Sequence, residues 1–280
     1  MALDFTEYFK KYEAVVAEVE AVFKKFENDV PELVKCGKGC SDCCYALFDV
    51  TLVEAMYINA KFNEKYSGIQ RAVLMDRADK ADRQINKLKR KVFKATQSGA
   101  STNDVLLEVA KARVRCPMLD DNDLCSIYEH RPITCRLYGV PTAIGGKPHA
   151  CGKSGFKGGE KYPTVNMDII LDKLLNIGRE LKEGIGSRYK ELGEILLPVS
   201  MAVITEFDEE YLGVGGEAKL TVPQAHVERE LGKGAADAFR IPDVKDAPKS
   251  EACKSCDHAG TACESCGESI VLGGGGEGNE

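Results

Sequence analysis

Cysteine placement constrains this chain more than any other feature. Four thiols open as Cys36-x3-Cys40-x2-Cys43-Cys44, and four more follow at Cys116, Cys125, Cys135 and Cys151. Thiolate is a soft donor that suits zinc and iron–sulfur clusters. Two groups so far apart along the chain must meet in space before they can close a site, so a fold organised round a metal is expected. Cys40-x2-Cys43 has the spacing that lets two sulfurs reach one metal or one cluster. Cys43 and Cys44 are adjacent, and neighbouring side chains point apart in a helix or a strand. The expectation is that these two serve different sites, or that one ligates while the other packs. Eight thiols would fill two four-thiolate sites; equally, they would fill one site and leave spare or buried cysteines.

A second set lies near the end, Cys253-x2-Cys256-x6-Cys263-x2-Cys266-Gly267. Two C-x2-C turns offer four converging thiolates, and Gly267 eases the second turn. A segment so short has almost no core, so bound metal would supply its folding energy; a disordered tail is the alternative. His258 lies between the pairs and reads as a linker residue, because four sulfurs already complete a set. His130 and His149 stand near the main motif and read as surface or supporting residues for the same reason.

Composition narrows the compartment and the partners. The chain has 280 residues, 44% of them hydrophobic, and a formal net charge of −6. A general nucleic-acid or anionic-membrane surface is therefore not expected. No apolar run reaches the roughly 18 residues a membrane span needs. The acidic, amphipathic start lacks the pattern of a secretory signal. Twelve cysteines without such a signal point to the cytoplasm, where clustered Cys bind metal or do redox chemistry more often than they form disulfides. Walker loops, dinucleotide fingerprints, G-x-S-x-G and H-E-x-x-H are all missing from the sequence.

Apolar spacing predicts a mainly α fold: a helical domain around an irregular cysteine-rich metal-binding centre, with the short C-terminal four-cysteine knuckle. A helix over 4–28 would bury Phe5, Phe9, Tyr12, Val16, Val19, Phe23 and Phe26 on one stripe, with Asp4 as N-cap. Thr51 and Glu54 form a capping box for the next helix. A long helix over about 69–97 places Leu74, Ala78, Ala81, Ile85, Leu88 and Val92 on one face and closes at Gly99. Further helices fit 103–114, 166–183, 187–197, 200–212 and 224–239, with a short strand at 219–222. Residues 116–151 suit a loop-rich fold. The domain division expected is 1–163 for the cysteine-cluster part, 164–240 for a helical extension and 241–280 for linker, knuckle and glycine-rich tail.

Charged residues beside the thiols carry two readings. Arg131 and Arg136 flank Cys135 and would offset the negative charge of a four-thiolate site, or would simply pair with Glu129 and Asp123. Asp120, Asp121 and Asp123 form a tight polar turn rather than a calcium loop, because the central Gly and terminal Glu of that pattern are absent. Lys87, Lys89, Arg90, Lys91 and Lys94 read as the solvated face of the long helix.

The run Cys116-Pro117, Leu119, Cys125-Ser-Ile-Tyr128-Glu, Arg131-Pro132, Cys135-Arg136 and Tyr138, with Cys151 beyond it and the first four cysteines before it, resembles the YkgJ-type cysteine-cluster family, a zinc- or iron-chelating domain named for its CxxCxxCC motif. The resemblance covers roughly 35–155, and the first gap holds three residues rather than two. It implies that Cys36, Cys40, Cys43, Cys44, Cys116, Cys125, Cys135 and Cys151 bind iron or zinc. One relative, the flagellin lysine methylase, is thought to use an iron–sulfur cluster in protein methylation. Cys36, Cys40 and Cys43 also match the C-x3-C-x2-C loop of radical-SAM enzymes, but that loop belongs to a barrel of βα units and this chain reads as helical. The function expected is cluster binding (a four-iron, four-sulfur cluster, or zinc) in electron transfer or as an accessory to a redox system with a protein partner. A structural-zinc interaction module and a cluster-dependent lysine methylase are the alternatives.

Overall fold

A computed structural model describes residues 3–99, 112–215 and 269–270. Helix α1 runs Thr6–Asp29, and the Asp4 carboxylate accepts the Thr6 N–H at 2.9 Å as its N-cap. Its buried stripe is Tyr12, Val15, Val19, Val22 and Phe26. Steps of three and four residues keep one face inward. Val15 and Val22 therefore take the places expected for Val16 and Phe23, which lie one position off that line and are only half-buried.

Helix α2 spans Leu52–Lys65 and α3 spans Gly68–Gln97. The long helix buries Leu74, Ala78, Ala81, Ile85 and Val92, and Gly99 follows it with φ 84°, a left-handed closing residue. Helix α4 is the short Ile133–Leu137, α5 is Met167–Gly184 and α6 is Val199–Ile204. On α5 the buried positions are Ile170, Leu174, Ile177 and Leu181.

Two expected helices give way to other structure. Residues 187–197 form a short 3-10 turn at Leu192–Glu194 and strand β5 at Leu196–Pro198. The strand pairs antiparallel with β1, Asp49–Thr51, in the register Asp49↔Pro198. Apolar spacing over so short a run fits a strand as well as a helix, and Pro198, which cannot continue a helix, ends the strand instead. In 200–212 the helix stops at Ile204, because Asn59 Nδ2 donates to the carbonyls of Ala202 and Thr205, both at 2.9 Å, and so takes up acceptors at its end. The expected helix at 103–114 falls mostly outside the described residues. The strand at 219–222, the helix at 224–239 and the C-terminal cysteine knuckle fall wholly outside them.

The chain divides into two compact units, one drawn from Met1–Glu13, Gly37–Cys135 and Leu174–Arg240, the other from Ala14–Cys36, Arg136–Lys173 and Ile241–Glu280. In the first, α6 packs on α2 and α3, and the core gathers Val50, Ala55, Ile58, Phe62, Leu74, Met118, Ile127 and Val203. Cys116 and Cys125 lie against this core, partly buried. In the second, strands β2 (Thr142–Ile144), β3 (Lys147–His149), β4 (Thr164–Asn166) and β6 (Ser269–Ile270) form a small sheet in the order β3-β2-β4-β6. Gly145 and Gly146, with φ of 55° and 71°, make the tight β2–β3 hairpin turn. Phe26 meets Phe156 edge-on at 6.1 Å, and Phe156 meets Tyr162 at 5.0 Å.

Candidate metal centre

The cysteines of the first group sit on a tight turn. Residues Asp42–Tyr45 form a 3-10 turn that carries both Cys43 and Cys44. A direct backbone bond joins this turn to the second group: the Cys116 N–H donates to the Cys44 carbonyl at 2.6 Å. The second group is itself a folded-back loop. Leu119 and Cys125 form an isolated antiparallel bridge, and the Ser126 N–H donates to the Met118 carbonyl at 2.7 Å. Between them, Asp120 Oδ1 accepts the N–H groups of Asn122 and Leu124 at 2.9 and 2.8 Å. The expected polar turn is therefore present, with Asp123 in the left-handed region at φ 59°, which Asp tolerates.

Cys43, Cys44, Cys116, Cys125 and Cys135 together line one cleft of about 590 Å³, its open mouth included. Leu47, Phe48, Ile85, Val114 and Val199 make much of the remaining wall, so the thiols face a largely apolar space. Cys43 and Cys44 were expected to diverge. On the 3-10 turn they hydrogen-bond one another, because the backbone there is neither helix nor strand. Cys135 hydrogen-bonds Cys43 as well. Cys40 is half-buried, with its N–H on the Gly37 carbonyl at 3.0 Å, and stands outside the cleft lining.

The electrostatics follow from this crowding. Cys43, accepting hydrogen bonds from Cys135 and Cys44, is held well below the ordinary thiol value. Its neighbours move the other way. The bond to Cys43, then burial, pushes Cys135 well up, and Cys44 rises for the same two reasons. Burial pushes the Cys116 thiol up to about 12 and raises Cys125. Crowded thiols in low-dielectric surroundings thus split, one shifted down by the S–H groups that donate to it and the others shifted up.

Two arginines, Arg115 and Arg131, stand on the cleft wall. Arg131 lines the cleft, and its charge works to lower Cys125 against burial. The guanidinium lies 4.1 Å from the centre of the Tyr128 ring and donates to the Tyr128 carbonyl at 2.8 Å. Arg136, although next in sequence to Cys135, pairs with Glu20 and is buried, at 5% exposure. That carboxylate partner is a residue of α1. Asp121 pairs with Arg77 and Arg115. His130 stacks edge-on against Tyr57 at 5.9 Å, and His149 lies exposed on β3.

Cys36 and Cys151 belong to the second unit. A Cβ on Gly139 would land on the Cys36 side chain, so the glycine that follows Tyr138 is fixed by close packing. The Lys153 N–H donates to Cys151 Sγ at 3.4 Å, and the Ser154 hydroxyl donates to the Cys151 carbonyl at 2.6 Å. Gly139 was missed by the sequence reading; its place straight after C-R-L-Y was a visible signal, but the clash depends on a residue a hundred positions earlier.

The donor set suits a metal held by thiolates. All eight cysteines from Cys36 to Cys151 are thiols, and five share an apolar cleft with a cation on its wall. Among the described residues, no three or more Cys, His, Asp or Glu side chains are drawn in to a closed ligand sphere; the thiols stand together and are knit by hydrogen bonds. Fold and donor chemistry thus define a helical, cysteine-clustered metal-binding domain. Residues 35–152 match the family model CxxCxxCC, described as a "putative zinc- or iron-chelating domain". No curated protein and no solved structure matches the chain. Among the described residues no helix is long and apolar enough to cross a membrane.

Proposed function

We propose that the cleft thiols hold an iron–sulfur centre and that the protein passes single electrons between itself and a protein partner. The observation that carries this reading is the group of thiols on one apolar cleft wall. Five line it, enough for the four thiolates that a cluster or a zinc ion takes, and the apolar wall around them gives the exclusion of water that tunes a one-electron centre. Cys43 is the thiol most readily deprotonated; Cys44, Cys116, Cys125 and Cys135 would each give up a proton on binding. A cluster bound there supplies one-electron transfer. The chain's own part is to exclude water with Leu47, Phe48, Ile85 and Val199, and to set a positive charge, Arg131, beside the sulfurs.

Structural zinc is the second reading, favoured by one feature. The Cys116–Cys44 backbone bond and the Leu119–Cys125 bridge already tie the two groups together, as a staple would. Isolation under nitrogen separates the two. Iron with acid-labile sulfide and a visible absorbance that bleaches on reduction supports the cluster. Colourless protein with stoichiometric zinc replaces it with the zinc reading, and folded protein with neither metal defeats both.

A further inference from the structure

We propose that Glu54 is the positioning residue for Cys135: one buried carboxylate caps α2, holds the start of α4, and so fixes where the Cys135 thiol stands in the cleft. The inference rests on the metal-binding reading of that cleft and adds to it the group that sets one of its donors.

Glu54 is 4% exposed. Its Oε2 accepts from the Thr51 N–H and the Thr51 hydroxyl, both at 3.0 Å. These contacts are what a capping box requires. The other oxygen is left over by that account. Oε1 accepts the N–H of Ile133 at 3.1 Å, from a segment 79 residues away in sequence. Ile133 is the first residue of α4 and Cys135 the third. Pro132 before it has no N–H to offer, so Ile133 supplies the first available donor of this helix.

A helix of five residues cannot hold its own geometry, since the nucleating turn costs more than its few hydrogen bonds return. It must be fixed from outside. At its N-terminal end the fixing group is Glu54. From its third residue Cys135 hydrogen-bonds Cys43, and both side chains line the cleft. A carboxylate at a helix start also meets the positive end of the helix dipole. Groups that orient a metal ligand without touching the metal commonly change affinity by about 10- to 100-fold when removed.

The test uses the full chain with cobalt(II) as probe, together with amide hydrogen exchange on the metal-free protein. Glu54→Gln keeps the size but turns an NH2 group toward N–H donors. Expected are a cobalt affinity lower by about 10- to 100-fold, a thiolate-to-cobalt absorbance that falls toward that of Cys135→Ser, and faster exchange at residues 133–137. Thr51→Ala removes one donor to the Glu54 carboxylate and leaves Ile133 held, so it leaves all three readings near wild type. In a Cys135→Ser background, Glu54→Gln produces little further loss of affinity. Equal losses in both backgrounds, or unchanged exchange at 133–137, overturn the proposal. Should Glu54→Gln fail to fold, Glu54→Asp, one methylene shorter, is read in the same way. Wild-type protein that takes up no cobalt sinks the metal reading, whereas exchange at 133–137 still decides whether Glu54 holds Cys135.

Discussion

In the first unit, five cysteines line a single cleft and hydrogen-bond or perturb one another. In the second, Cys36 is pressed against Gly139 and Cys151 is fixed in a turn by Lys153 and Ser154. The same residue type, counted in sequence as one set of eight, sits in two kinds of surroundings. In the cleft, burial and neighbouring sulfurs make deprotonation costly for every thiol but Cys43, so a bound cation is what would complete the arrangement. Around Cys36 the local demand is steric, and the neighbour that answers it is a residue with no side chain. Spacing alone does not distinguish a cysteine set by its charge environment from one set by its packing.

The contrast can be broken or sharpened by experiment, beginning with the largest effect. Serine at Cys116 or Cys135 should lower metal affinity by more than the roughly 100-fold that outer groups reach, measured by competition with a chelator. Wild-type metal content in either variant would remove the cleft from the functional site. Met118→Ala should cost about 2–5 kcal/mol, read by denaturant unfolding, because Met118 is fully buried in the core against which Cys116 and Cys125 lie. Gly139→Ala should cost about 1–3 kcal/mol by overpacking, and Cys36→Gly in the same chain, which removes the Cβ that the new methyl would strike, should recover much of it. If the double variant is no more stable than the single, the steric account of Cys36 fails.

A further effect is in alkali. Cys116 is raised from 9.0 to about 12 in the folded, metal-free protein. A raised value means that its contribution to stability is complete below the unfolded value and is lost as pH climbs through the folded one. Between those limits stability should fall by at most about 1.4 kcal/mol per pH unit. Cys116→Ala should flatten that slope, and a slope that is unchanged would show that burial does not hold this thiol protonated.

Local chemistry was the legible part. The Asp4 cap, the Thr51–Glu54 box, the buried face of the long helix and the Asp120–Leu124 turn all depend on residues within a few positions of one another, and each formed as its sequence implied. Residues 187–197 were misread because four or five apolar residues fit two periods, and pairing with Asp49–Thr51 chose the strand. At the metal centre the cysteines themselves were visible, but their grouping was not. Cys43 and Cys44 share a cleft because of a 3-10 turn that their spacing does not announce. The Arg136–Glu20 pair, the Glu54–Ile133 bond and the Gly139–Cys36 contact each join residues that only tertiary structure brings together.

The hydrogen bond from the Cys116 N–H to the Cys44 carbonyl ties two points more than seventy residues apart. Bringing such distant points together carries an entropy cost that grows only slowly with the length between them. The ordering of events is affected more than the energy. The chain must have emerged from the ribosome as far as Cys116 before that seam can form, so a metal delivered earlier would meet only the Cys36–Cys44 stretch. A metal that needed both halves of the cleft would therefore enter only after α2 and α3, the helices between them, had been made.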